Sequence, residues 1–313
     1  MKGSERIMRK LILFMMSLLL VAFLAGCGKG SGADSSKLEV VTTFNAMTEF
    51  VKAVGGDKVN VHTIIPDGTE PHDFELKADD VKAITNGKVL VYNGFGMEPW
   101  IHDAVEASGN KDLVQVEATK GLTPRPSDEE NHEGHDHDKA GHDHGSVDPH
   151  AWLSLRNAVV EVQNIADGLA KADPANADYY QANAKAYIKQ LQDLDAEYKD
   201  KFTVLPNHEF VTGHEAFGYL CQDYGLKQES VEDMFAEGEP NAAQLAKLVE
   251  FAKAHHIKTI FAEEMASPEV SKTLASEVGA QVETLYTIES GEDGLSYLDR
   301  MKSNLDKIYK SLQ

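Results

Sequence analysis

Residues 173–202 read DPANADYYQANAKAYIKQLQDLDAEYKDKF, and this stretch decides the architecture. After Asp173-Pro174, a good cap and first-turn pair, it contains neither Pro nor Gly. Tyr180, Ala184, Tyr187, Leu191, Leu194 and Tyr198 recur at alternating steps of four and three, one apolar stripe along a single helix. About 27 helical residues at 1.5 Å each reach roughly 40 Å, more than one small lobe can cover. The stretch therefore predicts a strut spanning two lobes.

On either side of it strand and helix signals alternate. Before it, strands are expected at Leu38–Thr43, Val59–Ile65, Lys88–Tyr92 and Leu113–Val116, with helices at Asn45–Val54, Ala78–Thr85, Pro99–Ala107 and Ser154–Ala170. After it, strands are expected at Glu209–Thr212, Lys227–Val231, Lys258–Phe261 and Gln281–Leu285. Helices there fall at Glu215–Tyr224, Asn241–His255, Pro268–Val278 and Gly294–Leu312. Short β-branched runs separated by helices indicate βα units. The expected fold class is α/β: two lobes, each a four-stranded, mainly parallel sheet with flanking helices, joined by one long rigid helix. At 313 residues the chain is long enough for each lobe to have its own core.

A second stretch carries the chemistry. Residues 131–152 read NHEGHDHDKAGHDHGSVDPHAW. His132, His135, His137, His142 and His144 alternate with Asp and Gly and offer no apolar run to a core, which predicts a solvated, metal-attracting loop over 128–147. At Asp148-Pro-His-Ala-Trp-Leu153 the apolar residues signal re-entry into ordered structure, with His150 at the mouth of the fold.

Open α/β sheets bind ligands just beyond the carboxyl ends of their strands. Four ligand-type residues stand there: His72 after the second expected strand, His150 after the fourth, His214 after the fifth and Glu289 after the eighth. Two come from each lobe, so one ion would sit in the cleft between them. Three imidazoles and a carboxylate fill a tetrahedral Zn²⁺ shell with no open position, which suits holding an ion rather than hydrolysis. Asp73, Asp148 and Glu215 flank the histidines as candidate orienting partners, or are simply solvated. His62, His102, His208, His255 and His256 read as structural or surface residues.

The N-terminus is a separate object. Lys2, Arg6, Arg9 and Lys10 precede an apolar run from Leu11 to Ala25, too short for a membrane span of about 20 residues but suited to a secretory signal. It ends in Leu24-Ala-Gly-Cys27, followed by a Gly/Ser linker. The Leu-Ala-Gly-Cys element resembles a bacterial lipobox, implying removal of residues 1–26 and lipid attachment at Cys27. Cys221 would then be the sole remaining cysteine, so no intrachain disulfide is expected. The resulting layout is 1–26 signal peptide, 27–37 lipidated Cys and linker, 38–173 first lobe, 174–202 linking helix and 203–313 second lobe. A net charge of −21 argues against nucleic acid and suits an exported protein near cations.

At Glu70-Pro-His-Asp73, Asp148-Pro-His-Ala-Trp152, Thr212-Gly-His-Glu215 and the strut, the chain resembles the metal-binding lipoproteins of bacterial zinc and manganese ABC importers. The resemblance runs from Leu38 to the C-terminus and is strongest to the zinc branch. It implies the ligand set His72, His150, His214 and Glu289, where the manganese branch typically has Glu at the third position and Asp at the fourth. It also implies a monomer on the extracytoplasmic face of the cell membrane, delivering Zn²⁺ to a permease and its ATPase. Its strut would be stiff, so release would come from local loop changes. The alternatives are a manganese receptor of the same fold, a zinc hydrolase, or a metal-buffering adhesin. Against hydrolysis, neither a His-Glu-x-x-His element nor a Ser-centred nucleophile turn occurs, so no enzyme is expected.

Overall fold

The computed structural model describes residues 37–126, 147–232, 242–264 and 269–313. The expected signal peptide, Cys27, its linker and the histidines of the 128–147 loop lie outside them.

Two four-stranded sheets form, every pair parallel. The first contains β1 (Leu38–Thr42), β2 (Val59–Thr63), β3 (Val89–Tyr92) and β4 (Val114–Glu117), in the order β2-β1-β3-β4. The second contains β5 (Glu209–Thr212), β6 (Lys227–Ser230), β7 (Thr259–Glu263) and β8 (Gln281–Leu285), in the order β6-β5-β7-β8. Parallel strands need crossovers, and α1 (Asn45–Gly55), α2 (Ala78–Asn86) and α3 (Ile101–Ser108) supply them in the first lobe. Central β3 reads as a continuous apolar run because it is covered on both faces, with Val89, Leu90 and Val91 fully buried. In each sheet the strand order reverses beside the first strand, between β1 and β3 and between β5 and β7. Those reversals open the crevices in which such sheets take ligands.

After α4 (Leu155–Ala172), capped by the Ser154 hydroxyl on Asn157 N, comes the strut, α5 (Ala177–Thr203). Its 27 residues match the expected length. Pro174–Asn176 forms a separate 3₁₀ turn before it, because the Asp173 carboxylate draws in the Asn176 amide (2.6 Å) and the Tyr180 hydroxyl (2.9 Å). The first half of α5 packs on the first lobe, where Asn183 donates to the carbonyl of Val54 and Tyr187 meets Phe50 edge-on. Its second half packs on the second lobe, with Phe202 against Tyr224 of α6 (Gly218–Tyr224) and Tyr309 of α9 (Tyr297–Ser311).

The core differs from expectation. Rather than one per lobe, a continuous cluster runs from β1–β4 through α1, α4 and the strut to α6 and α9. A small second cluster of Val211, Val231, Leu248, Ile260, Leu274 and Ala275 lies under α7 (Ala242–Ala254) and α8 (Glu269–Val278). The reason is the strut: its buried face continues across both lobes, so the inner layer of the second lobe fuses with the first. Residues Leu38–Gln313 accordingly pack as one unit.

Candidate metal centre

Four loops at the carboxyl ends of β2, β4, β5 and β8 bring His72, His150, His214 and Glu289 together. One ligand atom from each lies within 4.8 Å of the others, and all four residues are buried. His150 is central. Its Nε2 is 3.2 Å from His72 Nε2 and 3.4 Å from His214 Nε2. A tetrahedron with metal–nitrogen bonds of 2.0–2.1 Å has edges of about 3.3–3.4 Å, so the imidazole spacing is that of ligands on one ion. Glu289 Oε1 stands 3.9 Å from both His72 Nε2 and His150 Nε2, and it is buried without a hydrogen-bond partner. An unpartnered buried carboxylate oxygen is costly unless a cation satisfies it.

Each ligand is held by identifiable contacts. The Asp148 Oδ1 accepts from both His150 Nδ1 (2.9 Å) and His150 N (3.0 Å), leaving the Nε2 lone pair for a metal. Pro149 stiffens the turn, and its carbonyl accepts from the Asn93 amide at 2.8 Å. Trp152, fully buried against Phe44, donates from its indole to Thr287 O at 2.7 Å and so reaches the Glu289 loop. At His72 the backbone N–H donates to Glu70 Oε1.

The Glu289 loop is strained and heavily tied down. Ile288 has a φ of +62°, unusual for a β-branched residue. It is held there by Glu264, whose carboxylate accepts from Thr287 N and Ile288 N, and by the Asn45 amide, which donates to Ile288 O and Ser290 O. Thr287 donates its hydroxyl to Glu289 Oε2 at 2.7 Å, leaving Oε1 aimed at the histidines.

Of the expected orienting residues, Asp148 acts as foreseen and Asp73 is exposed. Glu215 instead meets Arg125 at 3.0 Å. The carboxylate facing His214 Nδ1 is that of Glu263, at 3.9 Å, and it also accepts from Gly213 N. A Cβ on Gly213 would lie 2.0 Å from Glu263 Oε2, so any larger residue there would push this carboxylate aside. Glu263 closes β7, 49 residues from His214 in sequence, and no local pattern points to it. Glu70, Arg125 and Glu264 were likewise not foreseen. His62, His102, His255 and His256 are exposed, as expected of surface residues.

Burial and the neighbouring His150 hold His214 well below its usual range, so it presents a neutral ring. Burial, followed by the nearby Glu70, pushes the Glu289 carboxyl well up. A site that disfavours imidazolium and leaves a buried carboxylate seeking positive charge favours a divalent cation, which displaces a proton on binding.

Fold and site together define a two-lobed, helix-braced metal-ion-binding protein. The profile of the periplasmic component A of zinc-uptake complexes matches residues 40–311. The chain is 43% identical over 298 residues to the high-affinity zinc uptake system protein ZnuA of Bacillus subtilis, covering 92% of this chain and 93% of that one. The crystal structure of the metal-dependent lipoprotein YcdH from Bacillus subtilis is 42% identical, with a TM-score of 0.75 over 88% of this chain and all of that one. The laminin-binding protein of Streptococcus agalactiae, described as a bifunctional adhesin and metal transporter, is 33% identical, with a TM-score of 0.79 over 88% and 100%. The chain belongs to the ZnuA family of zinc-uptake binding proteins.

Proposed function

We propose that this protein is a zinc receptor that captures Zn²⁺ with His72, His150, His214 and Glu289 and delivers it to an ABC importer. The observation that carries the reading is the buried three-imidazole, one-carboxylate cluster with tetrahedral spacing. Imidazole-rich shells suit Zn²⁺, whereas Mn²⁺ favours oxygen-richer ones. Zinc is cargo here: three imidazoles and one carboxylate would fill a tetrahedral shell, which suits holding an ion, as expected of a non-enzymatic transport binding protein of this family.

The remaining features fit a receptor at a membrane. Lipid attachment at Cys27 would tether it to the extracytoplasmic face, with a permease and its ATPase as partners. Lobes at 38–173 and 203–313, braced by 174–202, would act as a monomer. His132, His135, His137, His142 and His144 would bind further zinc weakly, because a polar chain loses conformational entropy in closing around an ion. Laminin binding, suggested by the Streptococcus agalactiae neighbour, is the second reading; retention on laminin-coated surfaces tests it. The primary test is metal analysis of protein purified without added metal, followed by zinc–manganese competition. One tight zinc equivalent that manganese does not displace is expected, and preferential manganese loading would overturn the assignment.

A further inference from the structure

Three of the ligands are anchored to the first lobe. His72 and His150 belong to it, and the Glu289 loop is bonded to it through Asn45, Asp67, Gly68 and Trp152. His214 stands on the other side of the cleft, on a loop fixed mainly within its own lobe by Glu263 and by the Thr212 hydroxyl on His214 O. Arg125 crosses between the two. Its Nη1 donates to Asp148 Oδ2 at 2.9 Å, and the other oxygen of that carboxylate holds His150. Its Nη2 donates to Glu215 Oε1 at 3.0 Å, beside His214.

The approach is built for this guanidinium. Pro124 and Pro126 flank Arg125 and fix the chain on both sides. The Arg125 carbonyl accepts from Asp148 N, and Arg125 N donates to the Tyr219 hydroxyl, which itself donates to Asp148 O. Gly218 forms the floor: a Cβ there would lie 2.3 Å from Arg125 Nη1 and 2.7 Å from Asp148 Oδ2. A planar fork can engage two carboxylates in set directions at once, which an ammonium cannot. Asp148 is fully buried and Glu215 partly so, hence neither bond is a freely solvated surface pair.

We infer that Arg125 is a positioning residue for the metal site: it couples His150 to His214 across the cleft and so sets how long the ion is retained. The inference rests on the zinc reading above. Without the guanidinium, Asp148 loses the partner that fixes its plane, and the His214 loop loses a tie to the opposite lobe.

The test is zinc dissociation from the full-length loaded protein into excess chromophoric chelator, for wild type, Arg125→Met, Glu215→Gln, the double variant, Arg125→Lys and Gly218→Ala. Disturbing the support of a ligating histidine commonly costs 10–100-fold, so Arg125→Met is expected to speed dissociation about 10-fold. Glu215→Gln should give a smaller increase, and the double variant should be no faster than Arg125→Met, because both changes cut one link. Arg125→Lys should recover only part of the loss, and Gly218→Ala, which displaces the guanidinium without removing a charge, should shift the rate in the same direction. Visible spectra of the Co²⁺-loaded proteins should change for Arg125→Met, a signature that a merely structural role would leave unmoved. Rates within twofold of wild type, or effects that multiply in the double variant, overturn the inference. If Arg125→Met does not fold, Glu215→Gln and Gly218→Ala decide by the same criteria. Failure of wild type to bind zinc would instead sink the functional reading beneath it.

Discussion

The two histidines that His72 does not share a loop with, His150 and His214, sit on opposite sides of the cleft and are supported very differently. His150 rides on a turn set into the continuous core, with Asp148 at 2.9 Å from its Nδ1. His214 follows β5, one face of which covers the small second cluster, and its nearest facing carboxylate is at 3.9 Å. The Glu289 loop, although it comes from the second lobe, is bonded to the first. The site is therefore divided by support rather than by lobe: three ligands are tied to the first lobe, and His214 is held chiefly within the second.

The comparison breaks most severely at its centre. His150→Ala should lower zinc affinity by well over the 10–100-fold that loss of an outer partner costs, measured by chelator competition, because His150 Nε2 adjoins both other imidazoles. Glu289→Ala should do less, since a water can replace one carboxylate oxygen. Equal losses would show that the carboxylate matters as much as the central ring.

Next in size is the contrast between the two cores. Phe202→Ala, in the continuous cluster, should cost about 3–5 kcal/mol and lower global stability in denaturant titrations. Leu248→Ala, in the small cluster, should cost nearer ~2 kcal/mol. Its amide exchange should quicken in α7 and α8 while the strut amides keep their protection. If Leu248→Ala loosens the strut equally, the second cluster is not an independent unit.

The supports themselves give a finer measure. Asp148→Asn should weaken zinc binding by about 10–100-fold, and Glu263→Gln by less than about 10-fold, following their distances from the rings they face. Reversal of that order, read in the same competition assay, would place the firmer support on the His214 side.

The smallest effect concerns Glu161, fully buried on α4 in the shared core with neither carboxylate oxygen bonded. Burial pushes its carboxyl up to about 8. The folded protein thus keeps a proton that the unfolded chain has lost above its ordinary value of 4.5, so this group's contribution to stability falls as pH rises through that window. Glu161→Met should raise the melting temperature by a few degrees at pH 8 and by less at pH 5. A gain independent of pH would mean that packing, not ionisation, governs the position.

The fold was legible because its determinants are local and periodic. The strut's stripe, the β-branched runs and the breaks between them state two parallel sheets and a brace without reference to any long-range contact. The ligands were legible for a related reason: parallel sheets present their ligands at strand ends, so a histidine just past a strand already has an address. Asp148 could be read because it lies two residues from His150. Glu263, Glu264 and Arg125 could not, since each acts on a partner 23 to 90 residues away in the chain. Tertiary structure also decided that the lobes share one core and that the Glu289 loop belongs mechanically to the first lobe. Periodicity tells which face of an element is buried, but which element it is buried against depends on how the finished lobes meet.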